Sequence, residues 1–353
     1  MKARSIVLII VAIVVMAVAI VPVWSALSST LFPSPSDNVD FAEYNPYASG
    51  GTWYKGQLHS HSTRSDGELA PSDVVARYAS FGYKFIAISD HHTVTKIKGG
   101  SVLVLGQEYG KGSTESGLQY NPHMNGINIS SAPSEDLPQQ KRIDSITSQS
   151  GIVVLNHPTM FMFSYDLNDL KELRNYTAIE IYNGYSDGFL SGDAVSLWDD
   201  ILSTGRVVWG TAGDDAHTSA TYDKGWIEVR LSGKLTTANV INAIKRGSFY
   251  STQGPMFDEL RFNGTTFTVS SPDAHCISFY GRDGRLLETV NGGYANYTVK
   301  GNEGYVRAEV SADGLKAWSQ PVFVGKSSTS VSGNTVSDIG PSFATRTWEP
   351  VWI

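Results

Sequence analysis

The sequence predicts an α/β fold, a barrel-like alternation of strands and helices followed by a small antiparallel β-domain. Three observations predict it. Apolar runs ending in polar residues alternate with amphipathic helical stretches over residues 53–255. Chemically active side chains recur at the ends of those runs, as in parallel α/β barrels. Past Gly254-Pro255 the texture changes to short β-type runs broken by Gly and Asn-Gly turns.

The first strand carries QLHSHSTRSDGE, residues 57–68. Side chains alternate along a strand, so His59 and His61 share a face. Asp66, a little further on, adds a hard oxygen ligand to two borderline nitrogens. Pro71 then sits at a favoured first helical position, and Val74, Val75, Tyr78 and Phe81 recur at helical spacing before Gly82. KFIAISDHHT is an apolar run that ends in Ser89, Asp90, His91 and His92, polar groups that need partners at the end of a buried strand. SVLVLGQEY delivers Glu108, and HMNGINI opens with His123. Helix QQKRIDSITSQ leads to IVVLNHP with His157, and helix LNDLKELRN leads to AIEIYNG, where Glu180 is a further carboxylate. After a helix over DAVSLWDDILSTG, the strand RVVWGTAGDDAH brings Asp215 and His217, again two apart on one face. This makes seven strands, one short of an eightfold barrel. GWIEVRL and helix TTANVINAIKRG close the part. RFNGTTFTVS, HCISFYGRDG, ANYTVKG and YVRAEVSADG then read as a β-sandwich-like domain over 256–326, before a tail over 327–353.

The net charge of −7 leaves no basic footprint, so no stable nucleic-acid complex is expected. The single cysteine, Cys276, excludes an intrachain disulfide framework. Lys2 and Arg4 precede an uncharged run, Ile6 to Trp24, of the length a bilayer-spanning helix requires. Residues 1–27 are therefore expected to be a membrane anchor, or a cleaved signal segment, and 28–52 a Pro/Ser-rich tether. The basic N-terminus would stay inside, which places the catalytic domain outside the membrane, or in the medium if the segment is cleaved. Sequons at Asn128, Asn175, Asn263 and Asn296 are compatible with export.

Of the eight histidines, 59, 61, 91, 92, 123, 157 and 217 fall in the barrel part and only His275 lies elsewhere. One buried histidine is more often a hydrogen-bonded core residue than a ligand. So many imidazoles with Asp66, Glu108 and Asp215 at one end of one barrel point to bound metal, because every buried polar group must find a partner. The order HSHS…SDG, SDHH, GQE, H, NHP and DDAH resembles the motif series of the PHP (polymerase and histidinol phosphatase) family across residues 55–255. The resemblance implies a distorted seven-stranded (β/α) barrel with two or three divalent metals at the strand C-termini, catalysing phosphoester hydrolysis. It assigns His59, His61, Glu108 and Asp215 to a first metal. Glu108 would bridge to a second, held with His123 and His157, while Asp66, His91 and His217 would hold a third. Asp66 stands where many members carry histidine. His92 reads as a residue behind the ligands or facing the substrate, and Asp90 as an orienting carboxylate or a strand-end cap. YVRAEVSADGLKAWSQPVFV looks like the tail of the CehA/McbA-type subgroup, in which known activity includes cleavage of an aryl carbamate ester.

Three functions follow as expectations. A metal-dependent phosphoesterase would use metals bridged by Glu108 to activate water, Arg64 to contact a phosphate oxygen and His92 to protonate the leaving oxygen. A carboxylic or carbamate ester hydrolase would use the same centre on an acyl carbon. A non-catalytic metal-stabilised surface protein would need fewer ligands than this sequence offers. His and carboxylate ligands suit Zn, Mn or Fe alike.

Overall fold

In the computed structural model the chain divides into two compact units, Met1–Asp40 and Phe41–Ile353. The structure describes residues 43–97, 103–104, 107–110, 122–160, 163–186 and 193–325, all in the second unit. The strands, in chain order, begin with β1 (Thr52–Gln57), β2 (Phe85–Ile86), β3 (Leu103–Val104), β4 (Gln107–Gly110), β5 (His123–Ile127) and β6 (Ile152–Leu155). They continue with β7 (Ala178–Asn183), β8 (Trp209–Gly213), β9 (Trp226–Leu231), β10 (Phe249–Thr252), β11 (Glu259–Phe262) and β12 (Thr266–Ser270). The last are β13 (Cys276–Gly281), β14 (Arg285–Asn291), β15 (Tyr294–Thr298), β16 (Gly304–Ala312), β17 (Leu315–Ser319) and β18 (Val322–Val324). Five α-helices are described: α1 (Pro71–Ser80), α2 (Gln139–Ser148), α3 (Leu167–Glu172), α4 (Val195–Leu202) and α5 (Thr237–Lys245).

Local chemistry explains the helices. Pro71 opens α1, which buries Val74, Val75 and Tyr78 on one face. Asp166 and Asp169 form a capping box at the start of α3. The Thr236 hydroxyl accepts from Asn239 N at the start of α5.

The strands form three sheets. A ten-stranded sheet runs β14, β13, β16, β17, β10, β9, β1, β2, β3, with β18 attached to β16; a five-stranded sheet runs β4 to β8 in order, and a three-stranded sheet runs β11, β12, β15. The mixed α/β class stands, but the expected closed ring of seven parallel strands does not emerge among the described residues. β9 pairs antiparallel with β1 from Thr52↔Leu231 to Gly56↔Ile227, so the sheet continues through β10 into the C-terminal strands instead of closing. β5 is antiparallel to both β4 and β6, and parallel pairing resumes only from β6 to β8.

Beyond Gln57 the chain turns to the end of β8. Ser60 bridges Ala216 in parallel, His61 N donates to Ala216 O (3.0 Å) and Asp215 N to His59 O (3.1 Å). This contact sets HSH beside DDAH. At the other end, the three-stranded sheet shares one hydrophobic cluster with β13 and β16, including Leu260, Phe267, Val269, Ile277, Phe279 and Val310. Each such buried side chain contributes about 2 kcal/mol. Tyr47 belongs to the same cluster, and Tyr44 exchanges backbone hydrogen bonds with Phe323, so the chain is tied in before β1 begins.

The apolar run Ile6 to Trp24 and the tail lie outside the described residues. Among the described residues no helix is long and apolar enough to cross a membrane. The longest, α1 and α2, have ten residues each. Ten residues rise about 15 Å, half of the roughly 30 Å a bilayer core requires. The expectations of a transmembrane helix, of a membrane partner and of a membrane-anchored location are corrected to this: none of the described helices can span a bilayer.

Glu228 on β9 is buried, with Trp226 Nε1 at 3.2 Å from its carboxylate. Burial pushes its carboxyl up to about 7, outweighing Trp226 and Lys55. A carboxyl raised on folding binds more protons in the native state, so its contribution falls as pH rises from the unfolded value toward 7. Replacing Glu228 with Gln is expected to flatten stability across that window, by up to about 3 kcal/mol at its upper end. Urea titrations of both proteins at pH 5 and pH 7.5 check it; an unchanged pH slope counts against the assignment.

Candidate metal centre

Buried polar side chains shape the strand ends before any ligand is placed. Gln57 Oε1 accepts from Leu58 N (2.9 Å) and His59 N (3.1 Å), while its Nε2 donates to Gly225 O (2.9 Å). Asp90 accepts from Ser62 N (2.7 Å), Ser62 Oγ (2.7 Å), Ser65 Oγ (3.0 Å) and the Thr95 hydroxyl, which pins the loop leading to Asp66. Asp214 gathers backbone N–H groups from Asp223, Lys224 and Gly225 and the Tyr78 hydroxyl, fixing the loop after DDAH. Burial pushes the Asp214 carboxyl up to about 6 against those hydrogen bonds.

On this frame the candidate ligands form two groups. His59, His157 and Asp215 are all buried; in the second group His61 is buried, His91 and His217 are half-buried and Asp66 is exposed; within each group the candidate ligand atoms lie within 4.8 Å of one another. Asp215 joins the groups, with Oδ1 at 3.1 Å from both His59 Nε2 and His61 Nε2 and 3.5 Å from His217 Nδ1. Asp66 reaches His61 Nδ1 (3.4 Å), His217 Nε2 (3.4 Å) and His91 Nε2 (3.5 Å), although its side chain is 53% exposed. Burial raises the Asp66 carboxyl, but His217, His91 and His61 overcome it and hold the group well below the usual carboxylate range. Asp66, His91 and His217 thus come together, with His61 beside them, whereas His59 groups with His157.

Three residues here adopt left-handed backbone: His92 (φ +60°), His157 (φ +28°) and Asp215 (φ +52°). Such conformations cost about 1–3 kcal/mol for residues other than glycine and persist where the surroundings hold them. His157 N donates to Glu180 Oε2 (2.9 Å), and Asp215 N is held by His59 O. A His and carboxylate donor set of this kind fits divalent Zn, Mn or Fe.

His123 lies beside these groups, its ring 5.1 Å from that of His157 and 5.5 Å from that of His91. Glu108 stands in β4 opposite Asn125 of β5, and its side chain lies outside the description. His92 is at the rim, Nδ1 3.1 Å from Glu135 Oε1, and Arg64 is exposed on the loop after His61. Gln57, Asp214 and Asn183 were not anticipated. Asn183 Nδ2 donates to Glu180 Oε2 (2.9 Å) and to Asp215 Oδ2 (3.2 Å). The available signal was polarity inside otherwise apolar strands: Glu180 and Asn183 interrupt β7, in which all six residues are buried.

No protein-family model and no curated relative matches the chain. Solved structures do. A two-domain protein of Bacteroides vulgatus containing a predicted PHP-like metal-dependent phosphoesterase is 14% identical, with a TM-score of 0.46 over 83% of this chain and 99% of that one. A protein of Bifidobacterium adolescentis named for metal-dependent phosphoesterase activity is 12% identical, with a TM-score of 0.38 over 56% of this chain and 98% of its own. An amidohydrolase of Chromobacterium violaceum is 15% identical, with a TM-score of 0.33 over 46% of this chain and 88% of that one. Likenesses this distant leave the site's own residues to carry the functional reading. The structural neighbours thus include a protein named for a predicted PHP-like metal-dependent phosphoesterase, the class the motif series resembles, and these three do not bear the name of the CehA/McbA-type subgroup.

Proposed function

We propose that the chain is a metal-dependent phosphoesterase of PHP type, acting on a small-molecule phosphate ester through residues 53–255, with 256–326 backing that part. The observation that carries the reading is the pair of ligand groups joined at Asp215. Divalent metals bound there would activate water and offset the negative charge that develops on phosphorus. Glu108 and His123 complete the ligand set in this reading. His92 is held at Nδ1 by Glu135, which leaves Nε2 to protonate the leaving oxygen. Arg64 is free to swing onto a phosphate oxygen from the loop that Asp90 pins. Tyr185, 45% exposed and 4.9 Å from the His217 ring, and Phe163, 4.5 Å from the His123 ring, give the mouth apolar walls.

A second reading, a carboxylic or carbamate ester hydrolase on the same centre, draws on the AWSQP stretch. Gln320 in that stretch is buried, and its amide both accepts from Gly210 N (2.8 Å) and donates to Gly210 O (2.7 Å). The stretch therefore braces β8, the strand that leads to Asp215, which is a supporting role under either chemistry.

Turnover of nitrophenyl phosphate, a nucleotide and a nitrophenyl acyl ester by the full chain, loaded with Mn(II) or Zn(II), tests the proposal. Phosphate esters are expected to turn over, and His157→Ala to lower kcat/KM about 1,000-fold, about 4 kcal/mol of transition-state stabilisation. Cleavage of the acyl ester alone transfers the function to the second reading. Full metal occupancy without turnover of any ester leaves a metal-stabilised surface protein.

A further inference from the structure

Glu180 is 3% exposed in the middle of β7, and the reaction proposed above gives it no task. A buried carboxylate needs several hydrogen bonds, and here all of them lead to one ligand group. Glu180 Oε1 lies 3.0 Å from His59 Nδ1, and Oε2 accepts from His157 N at 2.9 Å. Asn183 ties the same Oε2 to the Asp215 carboxylate. Every member of the buried group is thus bonded to Glu180 directly or through one amide. Gly213 makes room for the arrangement, since a Cβ there would fall 2.3 Å from Glu180 Oε1 and 3.0 Å from His59 Cβ.

His59 faces a carboxylate at each ring nitrogen: Glu180 at Nδ1 and Asp215 at Nε2. A neutral imidazole carries one proton, and only its bare nitrogen can bind a metal. We infer that Glu180 is a positioning residue that holds the His59 proton on Nδ1, leaving Nε2 bare, and locks His59, His157 and Asp215 into one preassembled site. The contact from Oε2 to His157 N also holds that residue in its left-handed conformation. A carboxylate of this kind behind a metal-binding histidine is worth about 10- to 100-fold in affinity. The inference rests on the metal reading of the site.

Glu180→Gln keeps the shape but turns one acceptor into a donor. That donor must then face either the His59 Nδ1–H or the N–H groups of His157 and Asn183. The test is chelator competition with Zn(II) on the full chain, wild type against Glu180→Gln and against Asp66→Asn, which strikes the other group. Glu180→Gln is expected to weaken one class of site about 10- to 100-fold while leaving the class that Asp66→Asn weakens unchanged. In the Zn-loaded wild type, proton–nitrogen NMR should show a hydrogen-bonded Nδ1–H on His59, shifted in the variant. Equal affinities in wild type and Glu180→Gln overturn the inference and leave the metal reading intact. A wild-type chain that takes up no Zn(II) overturns both. If the variant does not fold, the wild-type resonance decides: a Zn-loaded His59 protonated at Nε2 overturns the inference.

Discussion

Asp215→Asn is expected to remove metal from both ligand groups and to lower kcat/KM about 1,000-fold, about 4 kcal/mol at the transition state. The reason is the number of groups that one carboxylate serves. Oδ1 alone stands 3.1 Å from His59 Nε2 and His61 Nε2 and 3.5 Å from His217 Nδ1, while Oδ2 accepts from Asn183. An amide removes the charge and presents a donor to at least one of these partners. The fold should survive, because Asn adopts left-handed backbone as readily as Asp and φ at this position is +52°. Metal analysis, steady-state kinetics and a thermal melt on one preparation check all three statements. Asp66→Asn is the contrast: its side chain is 53% exposed and touches only the open group, so the buried group should keep its metal. A fully loaded, active Asp215→Asn protein would remove the joint on which the two-group reading depends.

The candidate ligands were legible in the sequence because the HSH and DDAH clusters are local signals. Both motifs lie just past strand ends, after β1 and after β8, and both contribute to the candidate site. Their sharing between groups was not legible. The His59 and His61 rings are 5.4 Å apart, yet their metal-binding atoms fall in different groups. The divide depends on what each ring meets, Glu180 behind His59 and Asp66 beside His61, and those residues arrive from β7 and from a loop. Gln57 and Asn183 stayed hidden because an amide in a strand reads the same whether it braces a ligand or faces solvent.

The fold shows the same division. Helices announce themselves through caps and spacing, as Pro71 and the Asp166–Asp169 box do. The continuation of the main sheet from β1 through β9 and β10 to β17 rests on pairings such as Tyr250↔Ser319, between residues far apart in sequence, and no local pattern encodes it. The seven-stranded ring was a count of strands, and a count holds no information about which edges meet.

The join between helical and β-rich parts leads to the second large effect: Asp199→Ala is expected to cost about 3–5 kcal/mol of stability. Asp199 sits on α4, nearly buried, and grips Arg307 of β16 with two hydrogen bonds, Nε to Oδ1 at 2.8 Å and Nη2 to Oδ2 at 2.6 Å. The Tyr305 hydroxyl donates to the same Oδ1 at 2.8 Å. Burial disfavours the Arg307 charge, but Asp199 and Glu309 outweigh it and keep the guanidinium firmly protonated. Removing Asp199 leaves that charge with Glu309 Oε2 at 3.6 Å and takes away the acceptor of the Tyr305 hydroxyl. Arg307 cannot shed its proton to escape, so the desolvation cost stays. At about 1.5 °C per kcal/mol for a chain of this size, the melting temperature should fall by about 4–8 °C. The double variant Asp199→Leu with Arg307→Met should recover most of the loss, since two apolar side chains leave no buried charge behind. Calorimetry on the three proteins settles it. A double variant no better than Asp199→Ala would show that α4 and β16 depend on the ion pair itself, and a single variant near wild-type stability would show that the pair contributes little.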